Sequence, residues 1–152
     1  MKTLLSSVLA ALLLALLAAA VPPPETLVFK VAGVTHVNDD GTDRQVVLRH
    51  LRFGDAPYAG EGGPAVTLVP AAVDGDPAVR CLVNGWQIGW VPKDLIGEVS
   101  AALERGAFVS GFRITGGGFA RDGSRLYFGA VVTLTVPYTF PLHLRAPWAS
   151  AP

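Results

Sequence analysis

Several side chains in this chain are of types that could do chemistry. Arg44, Arg49, His50 and Arg52 fall close together and could hold a phosphate, or simply form the solvated face of a helix. Asp74 and Asp76 flank Gly75. Two such carboxylates suit a metal ion or acid–base work, but no third ligand follows at a recognisable spacing, so turn chemistry is the simpler reading. Asp39, Asp40 and Asp43 surround Gly41 in the manner of a calcium loop, yet the later bidentate Glu is missing, which leaves a turn and a helix cap. The three His are scattered and none forms a metal-ligand pair. Gly116-Gly117-Gly118 is not followed by the Gly-Lys-Ser/Thr of a phosphate-binding loop, and no G-x-S-x-G elbow occurs. The sequence therefore offers no catalytic residue, cofactor site or metal site, although a site assembled in space needs no proximity along the chain.

The totals narrow the partners. Twelve basic and twelve acidic residues cancel, and without Lys2 the balance is about −1. A protein that holds duplex nucleic acid mainly by charge carries a basic excess, which is absent here. One Cys cannot close an internal disulfide. The 152 residues suffice for one domain with a real core plus extensions.

The elements that must position these groups are organised around residues 76–92. Asn84-Gly85 is the preferred pair for a two-residue hairpin turn, since both residues tolerate positive φ. With that turn, Val83 faces Trp86, Cys81 faces Ile88 and Val79 faces Trp90, so all six point to one side. Cys81 is then a core thiol, not a nucleophile. Pro92 ends the second strand. Before the hairpin, Leu27–Val37 reads as a long first strand interrupted at Gly33. Asp43 or Thr42 caps a helix from Arg44 to Phe53 that stops at Gly54, and a short strand, Val66–Val69, ends at Pro70. After it, Lys93–Arg105 carries a helical stripe (Leu95, Ile96, Val99, Ala102, Leu103), and strands follow over Ala107–Thr115 and Leu126–Val136. This predicts a mainly β, α+β domain with two short helices, folded as a small, partly open OB-like β-barrel over residues 27–137.

Residues 1–21 are of a different kind. A short basic start precedes an uncharged Leu- and Ala-rich run of 18 residues, Leu4 to Val21, expected to form a hydrophobic N-terminal helix. It reads as a cleaved secretory signal or as a single membrane anchor, with membrane contact through residues 4–21. Alternatively the start site lies further on. Residues 22–26 are a Pro-rich spacer and residues 138–152 a Pro-rich tail. The domain is expected to be exported or membrane-anchored if the N-terminal segment is genuine, and cytoplasmic if it is not.

From Phe29 to Val136 the chain resembles a HIRAN domain. The resemblance is carried by Val31-Ala32-Gly33-Val34-Thr35 with Asp40-Gly41-Thr42-Asp43-Arg44-Gln45, by Ala78-Val79, by Gln87-Ile88-Gly89-Trp90-Val91-Pro92, and by Ile114-Thr115-Gly116-Gly117-Gly118 continuing to Phe128-Gly129. It implies a modified OB-like barrel and a non-catalytic module that holds single-stranded DNA, in the best understood members its 3′ end. Where the family's pocket has an Arg and an aromatic, this chain has Thr35 and His36. Where the family has Asn-Pro-Tyr-Asp, it lacks the Tyr, and either Asp74 or Asp76 stands in for the Asp. The late aromatic is Tyr127 or Phe128. Arg44 joins this set as a candidate phosphate ligand. Two readings remain open: a nucleic-acid-binding module for single strands or DNA ends, and an exported or membrane-anchored module for another ligand, a peptide or an envelope polymer.

Overall fold

Asn84 and Gly85 take φ of 51° and 84°, and the strands on either side of them form the hairpin that the pair favours. The computed structural model describes residues 23–138, so the expected N-terminal helix and residues 139–152 of the tail lie outside the described residues. In order, the elements are β1 (Glu25–Lys30), α1 (Arg44–Phe53), β2 (Val66–Val73), β3 (Asp76–Val83), β4 (Trp86–Trp90), a 3-10 turn (Lys93–Leu95) running into α2 (Ile96–Glu104), β5 (Phe108–Gly116) and β6 (Phe128–Val136). The fold is mainly β with two short helices.

The strands form two three-stranded antiparallel sheets, ordered β1-β6-β5 and β2-β3-β4. They are not closed into the barrel expected from the sequence. Among the described residues one edge is stitched: Ala32, just beyond β1, exchanges both backbone hydrogen bonds with Trp90 at the end of β4 (2.8 and 3.0 Å). Edges β2 and β5 share no hydrogen-bonded ladder, and that side stays open. The first strand is also shorter than its apolar pattern suggests, because the chain turns off at Gly33. Conversely, β2 runs through Pro70 to Val73; as an edge strand it tolerates the missing N–H.

One core serves both sheets. β6 alternates strictly, with Phe128, Ala130, Val132, Leu134 and Val136 buried. Val79, Cys81, Val83 and Ile88 meet it from the other sheet, while α1 adds Val47 and Leu48 and α2 adds Val99. Each fully buried Val or Leu contributes roughly 1.5–3 kcal/mol. The α1 cap follows expectation: Asp43 Oδ1 accepts from the Gln45 N–H (2.8 Å) and Gly54 closes the helix in the left-handed conformation. Burial pushes the Cys81 thiol from its ordinary 9.0 up to about 12, so it stays protonated and inert.

The central hairpin departs from its simple register. Val83 pairs with Trp86 and Leu82 with Gln87, but Cys81 then pairs with Gly89 and Arg80 with Trp90. Ile88 is the extra residue of a β-bulge, itself fully buried. Trp90 therefore leaves the core side, where the sequence put it opposite Val79, and joins Arg80 on the outer face. The bulge needs glycine. A Cβ on Gly89 would stand 2.3 Å from the Ala32 carbonyl oxygen and 2.6 Å from Val31 Cγ1, and its φ is +155°.

Gly89→Ala should accordingly cost about 3 kcal/mol or more, since backbone must move. Gly85→Ala, with the same gain of one methyl and nothing within 4 Å, should cost only about 1 kcal/mol for its positive φ. Urea denaturation of both variants checks this; equal losses would remove the close approach as the reason for Gly89.

Candidate functional site

The β2-β3-β4 sheet has an inner face given to the core and an outer face that carries the candidate site. Register places Thr67, Leu82 and Gln87 in one outer row, Val69, Arg80 and Trp90 in the next, then Ala71 with Ala78, and Val73 with Asp76. Arg80 lies with its guanidinium carbon 5.6 Å from the Trp90 ring centroid. Trp90 is half-buried, held from behind by its two backbone bonds to Ala32.

On one side of this Arg80–Trp90 row lies a cavity of about 400 Å³. Ala32, Val73, Pro77, Ala78, Trp90, Val91 and Ile96 give it apolar walls, and Asp74, Asp76 and Lys93 supply its charged groups. Lys93 Nζ donates to Asp76 Oδ2 at 3.1 Å. Both partners are largely exposed, so the pair adds little stability and remains free to exchange for a ligand. On the other side, a smaller cavity of about 260 Å³ is lined by Asn38, Asp39, Asp40, Arg80, Leu82 and residues 85–87. Arg80 lines this cavity and Trp90 the larger one, so the stacked pair stands between the two on the outer strip of the sheet.

The loop after β1 borders this strip. Around the Cβ position of Gly33 stand Arg44 Nη1 (3.0 Å), Trp90 Cδ1 (3.6 Å) and His36 Nδ1 (3.7 Å). Thr35 and His36 are exposed there. Arg44 is different. It is only 6% exposed, its Nε donates to Asn38 Oδ1 and its Nη1 to the Gly33 carbonyl (2.7 Å). Burial lowers its pKa from the ordinary arginine value, with Asp39 opposing the shift. The guanidinium that the helical pattern put on a solvated, basic face is thus a strut of the loop, which folds over it and hides it.

Gln45, its neighbour, ties the loop to the other sheet. Its Nε2 donates to the carbonyls of Val34 (2.9 Å) and Phe128 (2.8 Å), and its Oε1 accepts from the Phe128 N–H (2.8 Å). Phe128 itself is buried, its ring against Gly117, where a Cβ would come within 2.1 Å of it. That ring has no face to offer a ligand. Tyr127, next to it, is 66% exposed.

Of the residues singled out from the sequence, Asp74 and Asp76 share the larger cavity; His36 and Arg44 stand near Gly33, beside Trp90, but do not line it. Thr35 lies on the same loop; Tyr127 and Phe128 are not among the cavity's lining. Trp90, Arg80 and Gln45 were not in that set. For Trp90 the one available signal was Gly89 inside an otherwise apolar strand, which marks a bulge. Among the described residues, no three His, Cys, Asp or Glu side chains come together as a metal-binding group. The arrangement can hold a flat group against an indole, accept hydrogen bonds from it through two carboxylates, and meet a negative charge with Arg80 or Lys93. Comparison with protein-family models, with curated proteins and with solved structures finds no match.

Gln45→Ala should remove the partner of two buried backbone groups of Phe128 and of the part-buried Val34 carbonyl, and lower stability by about 3 kcal/mol in urea denaturation. A loss below about 1 kcal/mol would show that this carboxamide does not hold the loop to β6.

Proposed function

We propose that the chain is a HIRAN-like, non-catalytic module that binds unpaired nucleic acid, with a strand end seated in the cavity beside Trp90. The observation that carries this reading is the outward turn of Trp90 at the bulge, which sets an aromatic face, a guanidinium and two carboxylates on one open strip. An indole stacks on any base, and such stacking contributes about 1–3 kcal/mol per base. A terminal sugar offers a hydroxyl that an internal one lacks, and Asp74 or Asp76 is suited to accept it. Arg80 and Lys93 face the phosphate, with His36 at the border. Neutral overall charge suits a few directed contacts better than broad electrostatic attraction.

The alternative, an exported or anchored module for a peptide or envelope polymer, draws its support from the cavity's charges: two Asp against one Lys favour a cationic group over a phosphate. Localisation bears on the choice, since a protein held outside the cell rarely meets chromosomal DNA.

The test is binding of the full-length chain to labelled oligodeoxynucleotides with free and blocked 3′ ends at two salt concentrations. Free ends should bind more tightly, with a shallow salt slope, and Trp90→Ala should weaken binding about tenfold or more. No binding at low salt would falsify the reading. Equal binding of free and blocked ends with a steep salt slope would remove end recognition.

A further inference from the structure

The turn between β5 and β6 presents aromatic and cationic side chains that nothing in the fold uses. Phe119 is 76% exposed, Tyr127 66% and Leu126 45%. Their backbone is nonetheless well organised. Phe119 bridges Arg125, the Leu126 N–H donates to the Gly118 carbonyl (3.0 Å), and the Gly117 N–H to that of Tyr127 (3.2 Å). At the very end, Asp122 Oδ1 accepts from the Ser124 N–H (2.9 Å) and hydroxyl (2.7 Å), which holds its carboxyl below the usual range. The one acidic group is thereby committed to the turn. The side chains of Arg121 and Arg125 have no hydrogen-bond or ion-pair partner among the described residues.

We infer that this hairpin tip is a second contact for an unpaired nucleic-acid strand, gripping the stretch that leads away from the end held beside Trp90; the inference rests on the function proposed above. Directly opposed residues of an antiparallel pair project to the same face, so Phe119 and Arg125 offer a ring and a cation side by side. An unpaired strand alternates base and phosphate, and pairs of this kind meet both. The base of this hairpin is tied to the loop that borders the cleft. Gln45 bonds both to Val34 and to Phe128 at the hairpin's base, and the loop from Gly33 to His36 stands between that base and Trp90. An anionic bilayer fits less well. It would favour a contiguous apolar tip with cations set behind, whereas here Arg121 occupies the turn itself.

The test compares the full-length protein with Phe119→Ala and with the double variant Arg121→Gln, Arg125→Gln, using a thymidine tetramer and a thymidine 20-mer. All three side chains lie outside the core, so folding is unaffected, as thermal unfolding will verify. Both variants should bind the 20-mer about tenfold more weakly and the tetramer as well as the parent does, and the double variant should lose about 1 from the magnitude of the salt slope. Trp90→Ala should weaken both ligands. If the hairpin variants bind the 20-mer normally while Trp90→Ala does not, the hairpin inference is overturned and the cleft stands. If the parent binds neither oligomer, the cleft fails and the hairpin inference with it. Loss of binding to phosphatidylglycerol vesicles in the hairpin variants, without any oligonucleotide binding by the parent, would assign the tip to lipid instead.

Discussion

The contact on which the rest depends is the approach of Gly89 to the backbone of Ala32. No side chain fits between them: a single methyl would overlap the Ala32 oxygen. Because glycine stands there, the end of β1 can pair with the end of β4, and two separate sheets become the walls of one core. The same contact forces an extra residue into β4. Ile88 drops into the core, and Trp90, one place further along than a simple ladder would put it, turns outward beside Arg80. One steric fact thus fixes the packing of the sheets and supplies the aromatic face of the cleft.

The two polar struts near that seam have a similar double effect. Arg44 and Gln45 begin α1 and point back into the loop after β1. A buried guanidinium and carboxamide are costly unless nearly every donor and acceptor is met, and here they are met largely by backbone groups of the loop and of β6. The result is a loop held in one place without being part of a sheet. His36 and Thr35 therefore stand at a defined border of the cleft, although neither is packed.

Much of this was legible in the sequence where a local rule decides the outcome. Asn84-Gly85 named its turn, Asp43 and Gly54 bracketed α1, and the last long strand, expected over Leu126–Val136, stands at Phe128–Val136. The parts that escaped depend on contacts between distant segments. The bulge is one Gly between Ile88 and Trp90, and a ladder drawn without it looks equally satisfactory, with both indoles on the core side. Arg44 belongs to a helix pattern that puts it on the surface; only the fold of residues 33–38 over it makes it internal. Among the described residues the two sheets also share just one bridge, so strand count and spacing suggested a closure that the hydrogen bonding does not complete. Among the candidate site residues, the paired aspartates on the turn were visible as a pair, while their aromatic partner was assigned to the core.

The outward position of Trp90 can be measured directly. In a chain carrying Trp86→Phe and Trp148→Phe, Trp90 is the sole indole, and its fluorescence reports its surroundings. A half-buried ring on the outer face should emit at intermediate wavelength and be quenched by acrylamide in the folded protein. Blue-shifted emission that acrylamide leaves untouched would place the ring in the core, and both the bulge and the cleft built on it would be contradicted.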